Sequence, residues 1–172
     1  DRQGRVLGTG IWDDQGRVEV RRFRHDQGLI DVRFLEQRLK SALASRKIPP
    51  RTTAWRWVHA ENDRLPGIRV DVWGDHLGIS LDSSSLMGLV EPLTTALVEL
   101  REVEAMWLSI RGVDGESGHK QRVGQIWGAA HPGRVEVMER GARAIAYLDE
   151  GAGDPILLIH GFASNKTINW VY

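Results

Sequence analysis

Arg17, Arg21, Arg22 and Arg24 crowd around Phe23 near the start of this chain. Guanidinium groups pair with phosphate oxygens in a fixed geometry, and an aromatic ring offers a face on which a base can stack. These five residues are therefore candidates for contacting RNA. The plainer reading of the same run is a solvated strand edge, where charge discourages sheets from joining. A second set, Glu61, Asp63 and Asp71, carries carboxylates of the kind that serve as general bases or hold Mg²⁺. Asp63, however, precedes Leu65-Pro66-Gly67, a turn in which Asp commonly bonds nearby backbone. Asp71 sits in an otherwise apolar run with Arg56 and Arg69 as candidate partners, and alternation puts Arg69 on its own face. No catalysis is assigned to these three acids.

Near the other end, YLDEGAGDP has the D-x-G-x-G spacing of an S-adenosylmethionine loop. Such a loop should open a helix whose N-terminus faces the ligand. Here Asp154-Pro155 launches Ile156-Leu157-Leu158-Ile159, a buried-strand pattern. The glycines are better read as a hairpin turn joining strands 143–148 and 156–159.

Composition sets bounds on what these residues can do. The chain has 172 residues, is 41% hydrophobic, and balances 23 Lys and Arg against 23 Asp and Glu. It can build a core, and no global charge draws it to nucleic acid or membrane. Residues 1–50 nevertheless carry more basic than acidic side chains. The absence of cysteine excludes disulfides, thiolate metal sites and thiol nucleophiles within these residues. No apolar run approaches the roughly 20 residues that span a bilayer. Without a signal-peptide pattern the default location is cytoplasmic, and the start at Asp1 suggests a piece of a longer chain.

The elements that position the candidates follow from periodicity. Val18 and Val20 alternate with Glu19 and Arg21, the period of a half-buried strand, after a glycine-rich stretch containing Val6, Leu7 and Ile11. Asp31 is a plausible N-cap for a helix over 31–47, with Phe34, Leu35, Leu39, Ala42 and Leu43 as its apolar stripe. Arg46 and Lys47 would lie in its last turn, and Ile48-Pro49-Pro50 would end it. Strands are expected around Trp55–Val58, Ile68–Val72 and Leu77–Leu81. A second helical stripe runs from Leu86 to Leu100, either kinked at Pro92 or with Pro92 in the first turn of its regular part. Further strands fall at Met106–Ile110, Val123–Trp127 and Val135–Met138.

The block HAENDRLPGIRVDVWG, residues 59–74, resembles the central domain of the PUA-containing, S-adenosylmethionine-dependent methyltransferases of large-subunit ribosomal RNA cytosine C5. The match includes Ala60, Glu61, Asp63, Leu65, Pro66, Gly67, Val70, Asp71, Trp73 and Gly74. It departs at His59, where the family has Asn, and conservatively at Ile68. GRVLGTGIW resembles later PUA strands, the helix with Arg38, Ala42 and Arg46 fits the family connector, and GQIWGAAHPGRVEVMERG resembles the stretch before the catalytic domain. From residue 141 onward, GARAIAYLDEGAGDPILLIHGFASNKTINW resembles the N-terminus of α/β-hydrolases. There His160 and Gly161 would shape an oxyanion loop and Phe162 would donate its N–H. No nucleophile elbow accompanies them.

These resemblances imply an α+β chain in four parts. They are a truncated PUA-like β unit (1–30), a connector helix (31–50), a small β-β-β-α-β-β domain (51–140) and a C-terminal hairpin of hydrolase type (141–172). In this reading Glu61, Asp63, Pro66, Gly67 and Asp71 are structural. The expected function is RNA binding and positioning, with ribosomal RNA as a weak or partial partner and no membrane or metal partner. The S-adenosylmethionine domain of the resembled family would be absent, leaving no cofactor, and the hydrolase start would be inactive. Two alternatives stay open: an accessory module of a longer α/β-hydrolase, and an interaction module without RNA binding.

Overall fold

The computed structural model describes residues 3, 5–13, 18–111, 120–129 and 134–147. Strands β1 (Thr9–Trp12) and β2 (Val20–Arg24) form an antiparallel ribbon, followed by helix α1 (Val32–Ala44). Next come β3 (Ala54–His59), β4 (Ile68–Trp73), β5 (His76–Leu81), helix α2 (Val90–Leu100), β6 (Ala105–Arg111) and β7 (Lys120–Gly128). A last ribbon pairs β8 (Arg134–Glu139) with β9 (Ala142–Tyr147). The architecture is α+β.

Strands β3 to β7 form one sheet in chain order, antiparallel except at β5–β6. Parallel neighbours need a long crossover. A 3₁₀ helix (Ser84–Leu89) and α2 supply it. Alternation then decides what the sheet buries. Ile68, Val70 and Val72 face the same side as Leu77, Ile79, Leu81, Met106, Leu108 and Ile110. That side packs with Phe34, Leu35 and Leu39 of α1 and Leu93, Ala96 and Leu97 of α2 in one core. Pro92 occupies the first turn of α2, where its missing N–H breaks no helical bond.

Helix α1 begins where its cap dictates, because Asp31 Oδ1 accepts the Phe34 N–H at 2.8 Å. It ends at Ala44, earlier than expected, where Ser45 Oγ donates to the Ala42 carbonyl at 2.7 Å. Arg46 and Lys47 therefore lie beyond the helix rather than in its last turn. Leu43, assigned to the buried stripe, is 38% exposed.

The first ribbon inverts the expected burial. Val18 and Val20 are about half exposed, while Arg21 and Phe23 turn inward at 7% and 3% exposure. Alternation forces neighbouring residues to opposite sides, but it does not say which side meets the core. Phe23 is the larger apolar group, and it joins the core with α1 and the sheet.

Strand β9 finds its partner upstream in β8, through a two-residue turn at Arg140 (φ 50°) and Gly141 (φ 85°). Both central residues at positive φ suit the twist of a tight hairpin. The hairpin is fastened to residues 51–53. Thr53 N–H donates to the Met138 carbonyl and Gly141 N–H to the Arg51 carbonyl, at 2.8 and 2.9 Å. The Thr53 and Thr52 hydroxyls accept from Met138 and Arg140 N–H, at 2.8 and 3.0 Å. Residues 156–159, the partner expected from sequence, lie outside the described residues.

The core and the cap should separate cleanly in chemical denaturation. Leu39 is fully buried, so Leu39→Ala should cost about 3 kcal/mol. Asp31→Ala should cost about 1 kcal/mol.

Candidate nucleic-acid interface

The five RNA candidates are not brought to one surface. Arg17 lies outside the described residues. Phe23 is in the core and cannot stack on a base. Arg21 Nη1 meets Asp13 Oδ2 at 2.6 Å with both side chains buried, at 7% and 2% exposure. Its guanidinium stem also rests against Gly67, where an added Cβ would come within 2.9 Å of Arg21 Nε. Arg21 thus fastens the first ribbon to the Leu-Pro-Gly turn instead of reaching solvent. Arg22 is exposed, with a 3.4 Å bond to the Leu7 carbonyl.

Arg24 closes a loop. Its Nε and Nη2 donate to both oxygens of Asp26, at 2.5 and 3.0 Å, and Nη1 donates to the Leu29 carbonyl at 3.0 Å. The same carboxylate accepts the Gly28 N–H at 2.9 Å. An added Cβ at Gly28 would fall 2.3 Å from the Arg24 guanidinium carbon, so a larger residue there would displace that guanidinium. The Arg24 hydrogen bond, then the Gly28 amide, hold the Asp26 carboxyl down at about 2, below its ordinary 3.8.

Beside this loop the α1 surface forms a recess of about 320 Å³. Arg24, His25 and Asp26 line one wall, and Phe34, Gln37, Arg38 and Ser41 the other. The guanidiniums of Arg24 and Arg38 lie 4.9 and 5.0 Å from the Phe34 ring centre, within cation–π range. Burial, then the charges of Arg64 and Arg24, push the Arg38 guanidinium below its ordinary pKa. Sequence reading left Arg38 and Arg64 out of the site. The Phe34/Arg38 spacing of one helical turn was the available signal, whereas nothing local pointed Arg64 toward α1. Trp12 was also passed over. It is 64% exposed and pairs across the ribbon with half-exposed Val20.

The acidic block forms a turn. Residues Ala60–Asp63 make one 3₁₀ turn, and Arg64 follows in the left-handed region at φ 58°. Asp63 Oδ2 accepts the His59 N–H at 2.5 Å and is ion-paired to Arg46. Glu61 Oε1 accepts the Gly67 N–H at 3.2 Å, and Gly67 itself takes φ 76°. Pro66 is buried beside it. Asp71 pairs with Arg56 across β3–β4, at 2.7 and 3.1 Å, because the register sets them opposite one another. Arg69 instead pairs with Asp82 at 2.5 Å. Among the described residues no group of three or more His, Asp or Glu gathers to hold a metal. No helix among them is long and apolar enough to cross a membrane. His160, Gly161 and Phe162 lie outside the described residues.

The fold is an α+β module that recurs within S-adenosylmethionine-dependent methyltransferase chains. A putative SAM-dependent methyltransferase from Streptococcus mutans superposes with a TM-score of 0.71 at 18% identity, over 88% of this chain and 39% of that one. A putative methyltransferase complexed with SAH gives 0.67 with the same coverages. Sequence similarity points more narrowly. Ribosomal RNA large subunit methyltransferase I of Tolumonas auensis is 34% identical over 145 residues, 81% of this chain and 36% of that protein. The protein of the same name from Alteromonas mediterranea is 29% identical over 157 residues, 88% of this chain and 39% of its own. The chain thus spans under two fifths of these relatives. No family model matches it. These similarities are to methyltransferases, and the hydrolase resemblance of residues 141–172 gains no support from them.

Two outcomes follow for the arginines and their loop. Arg21→Ala removes the buried guanidinium paired with Asp13 and should cost about 2 kcal/mol in denaturation, whereas Arg22→Ala should stay within about 0.5 kcal/mol. Because the folded pKa of Asp26 is depressed, its contribution is complete above the open-chain value and lost as pH falls through about 2. A carboxyl NMR titration of Asp26 should show a midpoint near 2. A midpoint near 4 would mean that the 24–29 loop is open in solution.

Proposed function

We propose that this chain is the RNA-binding and positioning portion of a ribosomal RNA methyltransferase-like protein. The observation that carries it is the 34% identity to a large-subunit ribosomal RNA methyltransferase across 81% of the chain. The distribution of charge supports it. Arg22, Arg38 and Arg64 are among the arginines without a carboxylate partner in the described residues, whereas Arg21, Arg46, Arg56 and Arg69 are paired internally. Such groups meet phosphates, which fix the register of an RNA without reading its sequence. Exposed Trp12 adds a ring for stacking an unpaired base.

In this reading β1 and β2 are the PUA-like part, α1 connects, and the five-stranded sheet holds the RNA-facing groups in place. S-adenosylmethionine belongs to the chemistry of the methyltransferase as a whole. We assign no catalytic role to the described residues, and the sequence given contains no cysteine to form a thiolate adduct. Binding is partial because only a few phosphates are reached.

Fluorescence anisotropy with a hairpin of large-subunit ribosomal RNA tests this. Binding should appear at low salt and weaken as salt rises, with log–log slope about −0.7 to −0.9 per phosphate contacted. Trp12→Ala should reduce affinity roughly tenfold or less for a hairpin with unpaired loop bases. S-adenosylmethionine should leave the melting temperature unchanged. Absence of RNA binding at low salt would favour a purely structural or interaction role.

A further inference from the structure

Arg38 Nε is shielded from water and has no hydrogen-bond partner among the described residues. Such donors in folded proteins nearly always find an acceptor, and the guanidinium that carries this one lines an open recess. The guanidinium rests over Phe34 and lines the recess together with Gln37 and Ser41. The acid on the recess wall makes no hydrogen bond to Arg38 Nε. Asp26 is held by Arg24 on both oxygens and by the Gly28 amide. Arg24 is equally committed, with Nε, Nη1 and Nη2 all engaged.

A second cation arrives from a distant part of the chain. Arg64 has no carboxylate within ion-pair distance among the described residues, and its charge is felt at Arg38. It reaches that position from the left-handed region at φ 58°, a conformation a glycine would adopt without strain. The turn before β4 thus presents a long cation where backbone preference alone favours no side chain. The guanidiniums of Arg24 and Arg38 line the recess beside Asp26, and Arg64 lies close enough for its charge to act on Arg38.

We propose that Arg38 binds a phosphodiester oxygen of an RNA strand crossing the recess, with Arg64 as the second cation and Gln37 and Ser41 as a neutral hydrogen-bonding rim. This rests on the RNA-binding reading above. The anion gives the Arg38 guanidinium an acceptor and offsets the repulsion it feels from Arg64 and Arg24. Arg24 is a wall of the site, holding Phe34 and the 24–29 loop in place. The contact is to backbone, so it adds affinity without sequence preference.

The test uses the full chain, its Arg38→Gln and Arg64→Gly variants, a short RNA hairpin, and inorganic phosphate as an independent probe. Each variant should weaken hairpin binding roughly tenfold at low salt and reduce the salt slope by about 1. Arg64→Gly should keep or raise the melting temperature, since glycine removes the backbone strain, so its lost affinity cannot be ascribed to unfolding. In ¹⁵N spectra the Arg38 Nε–H resonance should move on adding phosphate. If both variants bind RNA with the wild-type affinity and slope, the Arg38 site is overturned while the RNA reading stands. If the wild type binds no RNA yet phosphate moves the Arg38 resonance, the RNA reading falls and the anion site is supported. If phosphate leaves the resonance in place and no RNA binds, both fall.

Discussion

Beyond the end of α1, Arg46 Nε donates to the carbonyls of Arg56 and Trp57, at 2.9 and 3.1 Å, and its Nη2 meets the carboxylate of Asp63. Those two carbonyls lie where β3 slips register between Arg56 and Val58. A bulge leaves backbone groups outside the ladder, and buried or half-buried ones need partners. Arg46 provides them from another element, and Asp63 neutralises it. Because Asp63 also accepts the His59 N–H, one ionic contact joins the helix exit, the β3 bulge and the turn into β4. Trp57 adds to the fixing, since its Nε1 donates to the Leu39 carbonyl at 3.0 Å. The placement of Leu65, Pro66 and Gly67 follows from this, and with it the seat of Arg21 against Gly67.

The chain's even charge balance conceals a division of labour. Asp13, Asp63, Asp71 and Asp82 each hold an arginine, and the pairs tie elements to one another rather than facing a ligand. Half-exposed pairs such as Arg56–Asp71 contribute modestly, while loss of one member of the buried Arg21–Asp13 pair is expensive. Structural acids are thereby spent on structural arginines. Of the cations left for an outside partner, Arg38 lines the recess between the 24–29 loop and α1. A net charge of zero is compatible with a locally basic recess for that reason.

Much of the scaffold was legible in the residues. Asp31 announced the start of α1, and the sheet strands from β3 to β6 showed their alternation plainly. Pro92 fell at one of the two places open to it. The candidate site was far less legible. Arg21, Arg22 and Arg24 look alike in sequence, yet one is buried, one is exposed and one is locked to Asp26. Strand alternation explains why Arg21 differs from Arg22, but not which of them turns inward. Arg64 could not be connected to Arg38 at all, because its left-handed conformation is imposed by the turn that Asp63 and Glu61 stabilise.

By itself the sequence determined the local elements, the α+β class and the kinship with ribosomal RNA methyltransferases. Caps, turns and periodicity act over a few residues, so they are written where they operate. Tertiary structure decided which side of the first ribbon is core and which of its arginines is tied to a carboxylate. Those outcomes turn on competition between distant groups for the same buried space and the same carboxylates. Phe23 takes the core and carries Arg21 inward to Asp13, and Asp26 is taken by Arg24, leaving Arg38 with a donor to offer.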